Sequence, residues 1–233
     1  MPRLMQPLAK LLGLLIFSLL VSSSVFAHGV DANTERFLLG NQGVAIGAFL
    51  YIGAKHMVTG YDHLLFLVGV IFFLFRTREV LVYVSLFTLG HSITLFLGVL
   101  NHLAVNPFLI DAIIGLSIVY KGFDNLGGFR RLLGFQPNTK IMVMLFGLFH
   151  GFGLATKLQK FNLPPVDLWK NLLAFNIGVE LGQYFALLFI LIALTVWRRY
   201  NSFYAFSTAT NTLLMTGGLV LFGFQLTGYL ING

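Results

Sequence analysis

The sequence predicts an all-α protein, a polytopic bundle of transmembrane helices. Of its 233 residues, 57% are hydrophobic and only 10% are charged, whereas soluble domains carry about 25% charged residues. The mean hydropathy is +0.85. Apolar runs recur along the whole chain, several of them near the ~20 residues that an upright membrane-spanning helix needs. The chain therefore has a lipid bilayer as its main partner and leaves no room for a sizeable soluble domain.

Charge and cysteine content exclude other classes of function. The formal net charge is +7, but the basic residues lie in short loops between apolar runs. This is the pattern of positively charged cytoplasmic loops in membrane proteins, so no nucleic-acid partner is expected. The chain has no cysteine, which excludes disulfides, a lipoprotein anchor and thiolate metal ligands.

The first 27 residues resemble a cleaved signal peptide. Arg3 and Lys10 supply the positive region, residues 11–21 are apolar, and the tripeptide at 25–27 fits a cleavage site. Cleavage would leave His28 as a new N-terminus outside the membrane, followed by a single transmembrane domain over residues 28–233. An uncleaved first span is the alternative, because signal and anchor differ mainly in length.

Apolar runs separated by loop signals then define the predicted helices. Gly60 breaks the first run, paired arginines close two others, and the Asn106-Pro107 pair is a typical helix start. A polar, glycine-rich loop holding Arg130, Arg131, Pro137 and Lys140 follows residue 123. In order, the predicted helices cover residues 43–57, 62–75, 80–100, 108–123, 141–156, 169–197 and 208–230.

Charge constrains the topology of these helices. Residue 28 lies outside after cleavage, and Arg76 and Arg78 are expected inside, so an odd number of crossings must separate them. We therefore expect residues 43–57 to form a short re-entrant or interfacial helix, with the crossing starting near Asp62 at the outer surface. The prediction is about six spans in the inner membrane, with the mature N-terminus outside.

Ionisable residues interrupt these apolar runs, and six of them are imidazole or carboxylate groups that we single out. Such groups in a bilayer cost several kcal/mol unless they are paired or line a polar path. Their helix positions place them in the outer half of the membrane or near its midplane. Imidazole and carboxylate without thiolate favour a borderline divalent metal ion, so we expect a metal site. The predicted ligands are His56, Asp62, His63, His91, His150 and Glu180.

Structural roles are open for several of these residues. His91 could hydrogen-bond to Thr88 or a neighbouring carbonyl, and His150 could belong to a glycine-lined packing seam. Asp62 could simply cap the helix that follows Gly60. A cap alone would leave His56 and His63 without an explanation.

Glu180 lies in a polar stripe on an otherwise apolar helix. Asn176, Glu180 and Gln183 recur at intervals of four and three residues and share one helix face. A carboxylate there would hold a cation or a proton. Thr88, Ser92, Asn176 and Gln183 are the expected supporting polar residues.

Several motifs together resemble the HupE/UreJ family of membrane proteins. One is His56-x5-Asp62-His63 followed by Leu-Leu-Phe-Leu. The others are FTLGHSIT at 87–94, GLSIVY at 115–120, FGLFHGFG at 146–153 and FNIGVELGQ at 175–183. The resemblance runs in order from about Gly43 to the C-terminus.

This resemblance implies a hydrogenase- or urease-associated accessory protein, a nickel or cobalt permease with a cleaved signal and about six spans. It assigns His56, Asp62 and His63 to the metal-handling motif. The longer spacing from His56 to Asp62 separates this motif from that of the larger nickel/cobalt transporter families. We therefore expect a bacterial inner-membrane permease or binding protein for Ni²⁺ or Co²⁺, with Zn²⁺ a further candidate. Metalloenzyme maturation proteins are its candidate partners.

Two other functions are open. A non-transporting assembly factor or metal sensor would use the same ligands. An intramembrane zinc hydrolase is also conceivable, but the chain contains neither His-Glu-x-x-His nor Gly-x-Ser-x-Gly, so we expect no enzyme. It has no nucleotide-binding motif either, and any transport would be passive or ion-coupled.

Overall fold

The computed structural model describes residues 43–159 and 168–232, which form helices joined by short turns. The predicted all-α class is confirmed for these ranges. The predicted signal peptide and His28 lie outside the described residues. The helices of the described ranges are α1 (Ile46–Thr59), α2 (Tyr61–Ile71), α3 (Thr77–Leu100), α4 (Pro107–Asn125), α5 (Gly128–Leu133), α6 (Thr139–Gln159), α7 (Leu168–Trp197) and α8 (Ser202–Asn232).

Four of these helices are long and apolar enough to cross a membrane, namely α3, α6, α7 and α8. The outer surfaces of α7 and α8 carry large apolar side chains, among them Phe185, Phe189, Val220 and Phe224, each more than half exposed. Such continuous apolar faces suit contact with lipid, where no hydrogen-bonding partner exists for an exposed polar group. The protein is therefore a helical membrane protein.

The helices pack in three close pairs, α1 with α7, α3 with α6, and α4 with α8. Glycines lie at these contacts. A Cβ atom on Gly53 would overlap the backbone of Phe175, and one on Gly147 would overlap the backbone of Phe87. Gly218 likewise lies against the backbone of α4. Small residues allow membrane helices to approach closely enough for van der Waals packing to hold them together.

Two sets of hydrogen bonds mark the ends of the bundle. At one end, the Ala45 amide donates to Asn171 Oδ1 (2.9 Å) beside the start of α7. At the other, Arg198 Nη2 donates to the carbonyls of Ile71 (2.5 Å) and Phe72 (2.7 Å). We call these the Asn171 end and the Arg198 end. Together, α1 and α2 thus run the length of α7 as one helix broken at Gly60.

This path corrects the prediction that residues 43–57 lie shallow and that the crossing starts at Asp62. The side chains of Asp62 and His63 are only 4% and 1% exposed and lie level with the middle of α3 and α6, not at a surface. Taken alone, α1 has 14 residues, too few to span a bilayer. Gly178 and Gly182 on α7 fit against the backbone of α1, and the end of α2 lies beside Arg198, just after α7 ends.

Candidate metal site

Four imidazole rings and one carboxylate from four helices meet inside the bundle. His63 is at the centre, with its ring centroid 4.7 Å from that of His150, 5.1 Å from that of His56 and 6.1 Å from that of His91. His63, His91 and His150 are at most 1% exposed. We call His56, Asp62, His63, His91 and His150 the histidine cluster; it contains five of the six predicted ligands.

The break at Gly60 brings the first two histidines together. The Gly60 amide donates to the His56 carbonyl (2.9 Å) and ends α1, while the Gly60 carbonyl accepts from Leu64 (3.1 Å) and starts α2. A Cβ atom on Gly60 would lie 2.9 Å from His63 Nδ1 and 3.0 Å from the His56 carbonyl oxygen. A side chain at this position would therefore push apart the two groups that the turn assembles.

Asp62 orients its neighbour rather than capping the helix. Gly60 is the N-cap of α2 and no side chain caps it, so the cap interpretation of Asp62 is wrong. Asp62 Oδ1 lies 3.1 Å from His63 Nδ1. A carboxylate can only accept from the imidazole, which places the lone pair of His63 on Nε2. Carboxylate-oriented histidines of this kind are common among metal ligands.

His150 is oriented by the backbone. Its Nδ1 lies 2.7 Å from the Phe146 carbonyl oxygen, which can only accept, so Nδ1 carries the proton. The buried Nε2 then carries the lone pair, and no described residue donates a hydrogen bond to it. Gly151 forms a seam with α3, as predicted, but the ring of His150 itself turns into the cluster.

His91 has no hydrogen-bonding partner for either ring nitrogen among the described residues, although it is fully buried. The predicted alternative was a bond to Thr88. Thr88 instead donates to the Val84 carbonyl and to Gln183. Burying an unsatisfied polar group costs about 1–3 kcal/mol. An imidazole that bears this cost beside three others is the strongest sign of a ligand-binding position.

These donors fit a divalent transition metal ion. Two groups each bring their ligand atoms within 4.8 Å of one another: His56 with His63 and His91, and Asp62 with His63 and His150. Tetrahedral nitrogen ligands of one ion lie about 3.3 Å apart, so side-chain rotations would close the difference. His63 belongs to both groups. Imidazole and carboxylate donors suit nickel, cobalt and zinc.

A layer of phenylalanines closes the cluster on the side of the Arg198 end. Phe66, Phe87 and Phe146 each lie one helical turn from a cluster histidine in that direction. Their ring centroids are 5.5 Å apart for Phe66 and Phe87 and 5.7 Å apart for Phe66 and Phe146. Phe66 and Phe87 are fully buried. We call these three residues the phenylalanine layer; it separates the cluster from the Arg198 end.

The predicted supporting residues connect α3 to α7. Ser92 Oγ donates to Asn176 Oδ1 (2.9 Å), and Thr88 Oγ1 donates to Gln183 Oε1 (3.1 Å). Both bonds lie between helices in an apolar setting, where such bonds contribute about 0.6–2 kcal/mol each. These two hydrogen bonds hold α3 against α7, on the side of α3 that faces away from α6.

Glu180 is not brought into the cluster. It belongs to neither group of close ligand atoms. Its Oε1 instead accepts a hydrogen bond from Tyr184 (3.0 Å) on the same helix. Asn176 and Gln183 point towards α3, whereas Glu180 is only half-buried beside them. Glu180 therefore shares a helix face with Asn176 and Gln183 but does not take part in the same site.

Sequence reasoning missed two buried ion pairs. Lys157 on α6 contacts Asp111 on α4 (2.8 Å), and Lys121 contacts Asp124 (2.6 Å) within α4. The signal was present, because an aspartate inside an apolar run is as costly as a histidine. Asp111 lies near a helix start and Asp124 next to a loop, and acidic residues at such positions are ordinarily explained by capping or by solvent.

Comparison with known proteins agrees with these observations. The family described as HupE / UreJ protein matches residues 32–233, which include the whole histidine cluster. No curated protein and no solved structure matches the chain significantly. The resemblance found in the sequence motifs is thus confirmed over nearly the whole chain, and the protein belongs to the HupE/UreJ family of accessory membrane proteins.

Proposed function

We propose that this protein binds Ni²⁺ or Co²⁺ in the histidine cluster and passes it across the inner membrane for metalloenzyme maturation. The observation that carries the proposal is His91, fully buried beside three other imidazoles with no described partner for either nitrogen. The donor set favours a borderline divalent ion, and family membership supports an accessory role rather than catalysis.

The proposed topology has six crossings. The broken α1–α2 helix makes the first, and α3, α4, α6, α7 and α8 make the others. The Arg198 end carries Arg76, Arg78 and Arg130, and this positive charge supports a cytoplasmic location for that end. Lys157 and Lys170 lie towards the opposite end, where Asp111 neutralises Lys157, so the larger number of positive charges is at the Arg198 end. The proposed mature N-terminus, at His28, is outside.

In this orientation the phenylalanine layer lies between the cluster and the cytoplasm. Metal ions would enter from the Asn171 end, bind at the histidines and leave only when the layer opens. His63 serves both groups of ligand atoms, so an ion could pass from one to the other without losing this ligand. Movement is passive or coupled to another ion.

Uptake into proteoliposomes tests the proposal. We expect purified wild-type protein to accumulate Ni²⁺ or Co²⁺ well above protein-free vesicles. The matched control is His102→Ala, which removes an exposed histidine in the turn after α3 and should leave uptake unchanged. Wild-type protein that binds the metal in detergent but moves none would contradict the permease and support the assembly factor or sensor.

Glu180 offers a second test, because it lies outside the cluster on the helix that flanks it. We propose that its carboxylate handles charge during transport. Glu180→Gln keeps the shape and the bond from Tyr184, so we expect unchanged metal affinity and uptake reduced about tenfold, near 1.4 kcal/mol of barrier. Uptake at the wild-type rate would show that Glu180 only holds Tyr184.

A further inference from the structure

An ion pair lies buried in the wall between α4 and α6. Lys157 Nζ contacts both carboxylate oxygens of Asp111, at 2.8 and 3.2 Å. The two side chains are 14% and 7% exposed. Replacing a buried ion pair with apolar residues is often neutral or stabilising, so stability alone does not account for this one.

The pair lies next to the histidine cluster, on the side opposite the phenylalanine layer. Gly153 is one helical turn beyond His150 towards the Asn171 end. A Cβ atom on Gly153 would lie 3.6 Å from Asp111 Oδ1. Electrostatic interactions of Asp111 reach Asp62 and His63. The carboxylate therefore lies where a cation coming from the Asn171 end would approach the cluster.

The opposite charges of Asp111 and Lys157 determine how an approaching cation interacts with the pair. The lysine ammonium is a compact charge on a flexible stem, and Lys157 is only two residues from the end of α6. A divalent ion attracts the Asp111 carboxylate and repels the ammonium. The lysine has a long stem and can swing away towards the Asn171 end, whereas the shorter Asp111 side chain stays beside the glycine at 153.

We propose that Asp111 is the receiving ligand for the divalent cation before it reaches the cluster, and that Lys157 is a resident cation which the metal ion displaces. This inference rests on the proposed function, since it takes the metal ion to be the cargo. Lys157 then excludes monovalent cations, because a single charge gains too little from Asp111 to displace an ammonium of equal charge.

The chain supplies a matched control. Lys121 and Asp124 form another buried pair, at 2.6 Å, with side chains 8% and 2% exposed. This pair involves the same helix, α4, but lies towards the Arg198 end, beyond the phenylalanine layer. If both pairs only stabilise the fold, breaking either of them should leave metal association unchanged.

Stopped-flow binding of Ni²⁺ to the purified full-length protein tests the inference. Lys157→Gln keeps a hydrogen bond to Asp111 but removes the competing charge, so association should be about fivefold faster and binding tighter. Asp111→Asn should slow association about fivefold, and Asp124→Asn should leave it within about twofold, because charges along an approach path act mainly on association rates.

The outcomes separate the possible failures. Association rates unchanged in Lys157→Gln and Asp111→Asn, with thermal stability lowered, would reduce the pair to a structural link between α4 and α6. If Asp111→Asn does not fold, Lys157→Gln decides alone, and an unchanged or slower rate overturns the inference. Wild-type protein that binds no Ni²⁺ would overturn the proposed function as well.

Discussion

Replacing His63 with alanine is expected to weaken Ni²⁺ binding at least tenfold, about 1.4 kcal/mol. His63 is the residue common to both groups of ligand atoms and is oriented by Asp62. Its loss therefore removes a ligand from each group at once. Titration of the purified variant in detergent, with Ni²⁺, Co²⁺, Zn²⁺ and Cu²⁺ compared, measures the effect.

The control for this variant is His102→Ala, which removes an exposed histidine without touching the cluster. It should bind metal like the wild type. The His63 variant should also keep a cooperative thermal transition, because the substitution leaves the close glycine contacts between the paired helices in place. Unchanged affinity with a collapsed transition would contradict the metal site and make His63 a packing residue.

Gly151→Ala is expected to separate α3 from α6 and to disturb the cluster between them. The added methyl group would overlap the His91 carbonyl oxygen and the Thr94 hydroxyl. Because backbone cannot move aside as a flexible side chain can, we expect a loss of about 1–3 kcal/mol in stability. Metal affinity should fall too, since His91 and His150 move apart.

Gly223→Ala is the matched control, because a Cβ atom there meets nothing within 4 Å. It should leave the midpoint of thermal unfolding in detergent unchanged or slightly higher, as alanine favours the helix by up to about 1 kcal/mol. Equal midpoints for both variants would show that the seam between α3 and α6 is looser than described.

Local signals predicted the fold class and most helix starts to within about three residues, although the last helix begins at Ser202 rather than at the predicted residue 208. Asn106 followed by proline was expected to begin a helix, and its side chain accepts from the amides of Phe108 and Leu109. A cap of this kind is decided by neighbouring residues, so the sequence alone suffices. The loop that follows residue 123 was less fully predicted, because the short helix α5 within it has too few residues for a periodic pattern.

The path of α1 and α2 could not be predicted in the same way. Gly60 indicated a break, and the break is real. Whether the chain turns back or continues depends on what the first segment packs against. That is decided by Gly178 and Gly182 on α7, more than a hundred residues away, and a single sequence gives no direct signal of such a contact.

In the candidate site, too, the sequence predicted some features, and others depend on contacts between distant residues. The cost of ionisable groups in lipid identified every member of the histidine cluster. It could not separate ligands from other buried polar groups, so Glu180 was grouped with the histidines and Asp111 was omitted. The direction in which each side chain points in the folded bundle decides whether it is near the site. Glu180 pairs with Tyr184, whereas Asp111 faces Lys157 beside the cluster.

X-ray absorption spectroscopy of the Ni²⁺-loaded protein tests the central claim most directly. If the histidine cluster is the metal site, the spectrum of a stoichiometric complex should show the outer-shell scattering of at least three imidazole rings and no sulfur. His63→Ala should reduce the imidazole contribution, and His102→Ala should not. A wild-type spectrum of water and carboxylate oxygens with at most one imidazole would contradict a metal site in the cluster.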